Sequence, residues 1–377
     1  MADPSEVGEP QWAGIRAVLA PYLLSRLLTV TALAVATTVS TAAGGTLHRH
    51  PGLTVYDASF YRDIARGGYS ALPHEALRFF PLFPELARAL DVVLPGPAGV
   101  ATLVLANACA LGYSLVLWRL VRTDLAHLDR TAGLADRSVW LLALAPAGFV
   151  LVLGYAESLT GLLAAGVFLA ARRSRFGWAA TLGLLAGLTR PAGALLAVPV
   201  LIEALRQVRS AGLRQWVLRA AATLAPVLGA GSYLLWAGRR YGDTLAPLRV
   251  QEQSGHRGGL VSLPFAPLKH SVIALVHGVE PTTAAHLLWT GLFGVLLVVS
   301  VRRLPASYSA FAAVMLAAAY SARTLDSLER YCFAAFPLLI ALAVVVRRPQ
   351  AMLVATTVFA ATLTGYAVLA FLTLYTP

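Results

Sequence analysis

Charged residues and cysteines are scarce in this sequence. Asp, Glu, Lys and Arg together make up 13% of its 377 residues, whereas 58% are hydrophobic, and the mean hydropathy is +0.70. So apolar a composition excludes a disordered chain and a soluble multidomain protein. The two cysteines are too few for a disulfide-stapled or cysteine-ligated metal scaffold. The chain is therefore predicted to lie in a membrane.

Lysine is nearly absent, since Lys269 is the only one among 30 basic residues. An arginine bias of this kind is typical of a GC-rich genome. The formal net charge of +12 would suit a nucleic-acid-binding protein, but the arginines form short clusters between apolar runs, which a bilayer explains better. The expected partner is a lipid bilayer, and no nucleic acid is expected.

Apolar runs recur along the whole sequence. A spanning helix needs about 20 mostly apolar residues, and about 17 suffice inside a bundle. We therefore predict an all-α polytopic membrane protein with about 11 transmembrane helices, within a range of 9 to 13. Because Arg26 is a charged residue inside the first run, we predict that the membrane interface lies near it. The predicted spans are 17–43, 98–118, 138–153, 156–171, 176–189, 191–206, 216–237, 284–301, 305–321, 331–346 and 351–374.

The arginine clusters predict the orientation of these helices, because cytoplasmic loops carry the excess of positive charge. With a cytoplasmic N-terminus, five successive arginine-rich loops all fall inside the cell. The outer side then receives the long loops 44–97 and 239–283, where functional residues are expected. The inner clusters begin at Arg119, Arg172, Arg206, Arg302 and Arg347.

A single transmembrane domain is predicted over residues 1–377, because the sequence contains no internal repeat. No pair of interrupted helices in corresponding halves indicates an inverted-repeat transporter. Residues 1–11 are predicted to form a flexible cytoplasmic tail. The predicted location is the cell membrane, with the functional face on the extracytoplasmic side.

The first outer loop is predicted to contain a short amphipathic helix on the membrane surface. Apolar residues recur at helical spacing over 56–64, and Gly67-Gly68 provides a stop. Asp57 shares a face with Tyr61, whereas Asp63 lies about 240° around the helix and is predicted to face water. Asp57 is therefore either an N-cap or a functional carboxylate facing the protein.

An aromatic and proline-rich run, 78–84, follows in the same loop. Its two prolines argue against a regular helix, and its three phenylalanines favour the membrane interface. We interpret the run first as an aromatic anchor at the start of a re-entrant or spanning segment, and second as a substrate contact.

Ionisable residues also occur at two short outer junctions. Glu157, after Tyr155, begins a predicted helix, where a carboxylate complements the helix dipole. Arg190 precedes Pro191 and can cap a helix or bind an anion. Because charges next to apolar runs are costly in a membrane, both are also candidates for function.

The remaining outer residues are polar and partly basic. Loop 239–283 contains Gln251, His256, Arg257 and Lys269, which are either solvated or functional. The last junction contains Arg323, Arg330 and Tyr331. No phosphate-binding Gly-rich loop, zinc-binding His-Glu-x-x-His or Gly-x-Ser-x-Gly elbow occurs, which disfavours a nucleotide-driven enzyme and a zinc hydrolase.

Taken in order, these motifs resemble the PIG-V family, the mannosyltransferases that add the second mannose to glycosylphosphatidylinositol anchors. Tyr56 stands where the family usually has tryptophan. If the arginine bias reflects an actinobacterial source, the acceptor must differ, because bacteria lack these anchors. The resemblance extends over about residues 22–346, and its segments are 56–69, 79–84, 155–159, 187–193, 330–331 and 336–337.

The resemblance implies an inverting GT-C glycosyltransferase, with a polyprenyl-phosphate-mannose donor and a glycolipid or glycan acceptor on the non-cytoplasmic face. It makes Asp57 the catalytic carboxylate, which would take the acceptor proton. The phosphate leaving group needs cations more than a proton donor. Candidates to hold it are Arg330 and Arg190, then Arg257, Lys269 and Arg323. Candidate substrate contacts are Glu157, Tyr61, Asp63, Tyr155, Gln251, His256 and Tyr331.

Two other functions stay open. A lipid-linked-sugar transporter or flippase would need polar residues spread along its spans, and a noncatalytic subunit of a glycosylation complex would have no activity alone. No cofactor is expected. A divalent cation between Asp57 and Asp63 is possible, but their angular separation on the helix argues against a shared site.

Overall fold

The computed structural model describes residues 12–44, 46–97, 99–129, 133–206, 212–250, 281–322 and 327–377. Over these ranges the chain is helical and contains no β-strand. The predicted tail 1–11 lies outside the described residues. The helices are α1 (Trp12–Ala42), α2 (Asp57–Gly67), α3 (Leu82–Asp91), α4 (Val100–Asp124), α5 (Leu134–Leu144), α6 (Glu157–Arg172), α7 (Phe176–Gly187), α8 (Ala197–Leu205), α9 (Leu213–Tyr241), α10 (Ala246–Arg249), α11 (Pro281–Arg303), α12 (Ala306–Tyr320), α13 (Leu328–Phe333), α14 (Phe336–Val345) and α15 (Pro349–Phe371).

Five of these helices are long and apolar enough to cross a membrane, namely α1, α4, α9, the His286–Arg303 part of α11, and α15. The chain therefore has the character of an all-α membrane protein, as predicted. The predicted count of about 11 full spans is not confirmed. Each predicted run contains helix, but the other runs form helices too short to cross a bilayer alone.

Prolines account for two of the short helices. The predicted span 138–153 is broken because Pro146 disfavours helical conformation at Ala145, which is extended (φ −49°, ψ 141°) and ends α5. A 3-10 helix, Gly148–Leu151, follows. The predicted span 191–206 likewise begins as a 3-10 helix, Pro191–Leu196, before α8. Because both runs are hydrophobic throughout, their hydropathy did not indicate where the helix is interrupted.

Arg26 lies in the middle of α1, inside the candidate span Ala13–Ala42, and the place of the membrane interface stays a prediction. Its guanidinium donates to the Asn107 side chain at 3.1 Å, to the Ser25 hydroxyl at 2.7 Å and to the Leu151 carbonyl at 3.3 Å. It also lies over the Tyr22 ring, 3.7 Å from its centroid. These partners explain how a membrane span can hold a charge.

A buried polar cluster joins α4, α6, α8 and α12 at one end of the bundle. Arg172 lies 2.8 Å from Asp124 and 2.9 Å from Glu203. Ser307 donates to Glu203 at 2.5 Å, and Tyr308 donates to Asp124 at 2.8 Å. Each carboxylate thus has several donors, as a buried charge requires.

The two ends of α6 belong to different charge clusters. Arg172 at its end joins the cluster just described, and Glu157 begins the helix. With 16 residues, α6 separates these charges by about 24 Å. This separation agrees with the prediction that Arg172 and Glu157 lie on opposite sides of the membrane. Which of the two sides is cytoplasmic stays a prediction.

Helices α7 and α9 cross so closely that their backbones touch. A Cβ atom on Gly229 would lie 2.1 Å from the Leu184 carbonyl oxygen, and one on Gly187 would lie 2.1 Å from that of Pro226. Only glycine fits such a crossing. The contact fixes the end of α7, from which the chain continues to Arg190.

Gly229→Ala is therefore expected to lower the free energy of unfolding by about 1–3 kcal/mol, because the added methyl group forces the two helices apart. Thermal unfolding in detergent measures the change. Gly231→Ala is the matched control, because its added methyl group would meet no neighbouring atom within 4 Å. Equal melting temperatures for the two variants would contradict the close crossing.

Candidate functional site

Helix α2 places Asp57 at its first residue and turns it inward. Tyr56, just before it, has a positive φ of 53°, and its hydroxyl lies 2.8 Å from the Ala370 carbonyl oxygen. On the same helix Asp63 pairs with Arg62 at 2.8 Å and is 38% exposed. Asp57 and Asp63 therefore have different partners, as their angular separation on the helix predicted.

Asp57 lies between two guanidinium groups. Arg330 Nη2 donates to its Oδ2 at 2.5 Å, and Arg78 Nη2 lies 3.7 Å from its Oδ1. The Asp57 side chain keeps 21% of its surface exposed, whereas Arg330 keeps only 3%. Asp57 is therefore a carboxylate that a small molecule can reach, held by a buried cation.

Glu157 is the second carboxylate of the site and is more deeply buried. Its Oε1 accepts hydrogen bonds from Arg190 Nη1 and from Arg330 Nε. Arg330 thus bridges Asp57 and Glu157, and its Nη1 donates to the Pro377 carbonyl oxygen at 2.9 Å. The described site contains the carboxylates of Asp57 and Glu157 beside the guanidiniums of Arg78, Arg190 and Arg330.

Local backbone geometry positions these side chains. Arg190 is extended (φ −161°, ψ 155°), the conformation favoured for a residue before proline. Arg330 lies in the short helix α13, which follows Ser327 in the left-handed conformation (φ 58°, ψ 21°). Glu157 is the first residue of α6. Arg190, Arg330 and Glu157 therefore all lie where a helix begins or is interrupted, and these positions bring their charged groups together.

Aromatic rings surround the arginines. Tyr155 lies under Arg330, with 4.7 Å from the guanidinium carbon to the ring centroid. Tyr331 lies 5.5 Å from Arg190 and 5.6 Å from Arg330 by the same measure. Tyr61 is buried and packs edge-on against Phe79 at 5.0 Å. The rings support the cations and limit their access to water.

Two opposing effects set the acidity of Asp57. Burial disfavours its charged form, but Arg330 and Arg78 outweigh burial and hold the pKa of this carboxyl below its ordinary value. Asp57 is therefore ionised at neutral pH, as a general base must be.

Arg78 is a site residue that the sequence analysis missed, because its run was interpreted as an aromatic anchor. Its guanidinium lies 4.7 Å from the Phe79 ring centroid and 5.3 Å from that of Phe60, so the aromatic residues hold it beside Asp57. The expectation of no regular helix is wrong, because α3 begins at Leu82 and includes Pro84. The first turn of a helix tolerates proline.

Glu329 was also missed. Its carboxylate is fully buried and lies 2.9 Å from His286 Nδ1. The Tyr366 and Tyr375 hydroxyls each donate to it at 3.3 Å. No local pattern in the sequence indicates these contacts, which attach α13 to α11 and α15.

A cavity adjoins the charged groups. Glu157, Arg190 and Arg330 line its polar part, and apolar side chains such as Leu142 and Phe311 line the remainder. The arrangement suits an amphiphilic ligand with an anionic group.

Five predicted site residues lie outside the described residues, namely Gln251, His256, Arg257, Lys269 and Arg323. Within the described part of the chain, no group of three or more His, Cys, Asp or Glu residues could hold a metal ion. No family model matches the sequence, and no curated protein matches it either.

Proposed function

We propose that this protein is a membrane glycosyltransferase that uses a polyprenyl-phosphate sugar as donor. The observation that carries the proposal is the bridging of Asp57 and Glu157 by Arg330 beside an apolar cavity. A reactive carboxylate, a set of cations for phosphate and an adjoining cavity for the lipid-linked donor together match the needs of this reaction. The resemblance to GT-C mannosyltransferases of the PIG-V type supports the same assignment and favours mannose.

In the proposed reaction, an acceptor hydroxyl oxygen attacks the anomeric carbon of the donor. Asp57 takes the hydroxyl proton as general base. The bond between the anomeric carbon and the phosphate oxygen breaks, and its electron pair leaves with the polyprenyl phosphate. Attack opposite the leaving group inverts the anomeric configuration.

Arg330 and Arg190 are proposed to hold the donor phosphate. The planar guanidinium can donate two parallel hydrogen bonds to phosphate oxygens. Both arginines line the cavity, and both already donate to the same oxygen of Glu157, Oε1. A phosphate oxygen can therefore compete for the same donors.

Competition for the arginines would also activate Asp57. In the structure, Arg330 and Arg78 lower the pKa of this carboxyl, which makes it a weak base. A donor phosphate that draws Arg330 away raises that pKa towards the range in which a base is effective. The base is then strengthened when donor is present.

The glycolipid or glycan acceptor and the extracytoplasmic location, in the cell membrane, belong to the same proposal. Purified protein in liposomes is expected to transfer mannose from polyprenyl-phosphate-mannose to a component of a membrane glycolipid extract. Mass spectrometry of a strain lacking the gene should then show the same acceptor without its hexose. Absence of transfer from any polyprenyl-phosphate sugar, with an unchanged glycolipid and glycoprotein profile, would contradict the proposal.

Arg78→Gln is expected to move the acidic limb of the pH profile of kcat/KM to higher pH, because this quantity reports the pKa of the free enzyme's base. The wild-type limb should lie below the ordinary aspartate value of about 3.9, because the two guanidiniums lower the Asp57 pKa. Loss of one guanidinium raises that pKa. Arg62→Gln removes an equal charge from the side of α2 that pairs with Asp63 and should leave the limb unmoved.

A further inference from the structure

Two buried polar atoms lining the cavity lack hydrogen-bond partners among the described residues. They are Glu157 Oε2 and the Tyr113 hydroxyl oxygen. The Glu157 side chain is 6% exposed, and Tyr113 is 3% exposed. Buried polar groups in folded proteins nearly always have a partner, so each of these atoms needs an explanation.

The two atoms need complementary partners. Glu157 already binds two guanidiniums through Oε1, so it is ionised and its Oε2 can only accept a hydrogen bond. The Tyr113 hydroxyl can donate one and accept others. A hydroxyl group of a ligand satisfies either atom, whereas a hydrocarbon chain satisfies neither.

The Tyr113 ring packs against α6 about one helical turn beyond Glu157, and both residues line the same cavity. Gly161 follows Glu157 by one turn of α6, and the Tyr113 ring lies across it, since a Cβ on Gly161 would be 2.4 Å from a Tyr113 ring carbon. One turn of helix rises about 5.4 Å, comparable to the width of a hexose ring. Arg190 and Arg330 line the same cavity beside Glu157.

We infer that Glu157 Oε2 and the Tyr113 hydroxyl form a subsite that binds hydroxyl groups of the donor sugar. This inference rests on the proposed function. It places the sugar in the part of the cavity between the arginines and Tyr113, and it makes Tyr113 a specificity-determining residue. A polyprenyl chain in that position would leave both polar atoms unsatisfied.

The test compares two lipids on the full-length protein in nanodiscs, polyprenyl-phosphate-mannose and sugar-free polyprenyl phosphate. Tyr113→Phe, which removes only the hydroxyl, is expected to weaken binding of the mannose lipid about fivefold. Its affinity for polyprenyl phosphate should equal that of the wild type. A series of donors, each lacking a different mannose hydroxyl, identifies the group that Tyr113 binds. The donor that lacks this hydroxyl should bind equally well to the wild type and to Tyr113→Phe.

Glu157→Gln tests the other atom of the subsite. The wild type should discriminate against the donor that lacks the hydroxyl bound by Oε2, and Glu157→Gln should discriminate less, because a neutral amide replaces a charged acceptor. A structural role alone would change the affinity for every donor by the same factor.

Tyr308→Phe is the matched control for folding. The Tyr308 hydroxyl donates to Asp124 in the opposite cluster, so its loss should lower the melting temperature and leave both affinities unchanged. The unliganded melting temperature of Tyr113→Phe should be equal to or above that of the wild type, because an unpartnered buried hydroxyl is removed.

The results separate the two proposals. If Tyr113→Phe binds both lipids as the wild type does, or weakens both equally, the subsite is wrong while the glycosyltransferase assignment stands. If the wild type binds neither lipid, both proposals are overturned.

Discussion

Asp57→Asn is expected to reduce sugar transfer by about 10²–10⁴-fold, because an amide cannot accept the acceptor proton. The variant keeps the shape of the side chain and an oxygen that can accept the hydrogen bond from Arg330. Folding should therefore be retained. Initial transfer rates with a saturating polyprenyl-phosphate-sugar donor measure the effect, and thermal unfolding of the same preparation reports folding.

Asp63→Asn is the matched control for this experiment. It makes the same chemical change on the same helix, but Asp63 faces away from the site and pairs with Arg62. Its transfer rate should stay within a factor of about two, because a partly exposed ion pair away from the site contributes little. Full activity in Asp57→Asn would remove Asp57 from the role of base.

Arg330→Met is expected to destabilise the fold by about 3–5 kcal/mol and to abolish transfer, because it deprives two carboxylates of the cation that they share. Glu157 would keep Arg190, and Asp57 would keep only the more distant Arg78. Arg330→Lys should restore part of the stability and little of the activity, since an ammonium group lacks the planar fork that binds phosphate. Chemical denaturation and transfer assays measure the two effects separately.

A double variant distinguishes an ion pair from a packing effect. Asp57→Asn combined with Arg330→Met removes the positive charge together with the carboxylate that would otherwise lose its close partner, so it should be more stable than Arg330→Met alone. Additive losses in the double variant would show that Arg330 stabilises the fold by packing alone.

Local features of the site could be predicted from the sequence. The spacing of apolar residues over 56–64 and the following glycines predicted α2, and the angle between Asp57 and Asp63 predicted which of them faces inward. Glu157 was predicted at the start of a helix and begins α6. These features depend on neighbouring residues, whose geometry is set by the helix itself.

Long-range partners could not be predicted from one sequence. Arg330 lies 273 residues from Asp57 and 173 residues from Glu157 along the chain, and no local pattern indicates which arginine meets which carboxylate. The lengths of the spans were also missed, because hydrophobicity measures the environment of a segment and not its straightness. The partial burial of Arg26 inside α1 could not be predicted either, because it depends on a hydrogen bond to Asn107 in another helix.

The sharing of Arg330 also has a consequence for turnover. A polyprenyl-phosphate sugar is a phosphodiester with a single negative charge, whereas the phosphate monoester left after transfer carries about −1.5 to −2. In the proposed reaction Asp57 has by then taken the acceptor proton, so it no longer competes with the product phosphate for Arg330. In a medium of low dielectric constant both changes strengthen the attraction between the arginines and the product. We therefore expect the spent lipid carrier to dissociate more slowly than the loaded one, until Asp57 releases its proton.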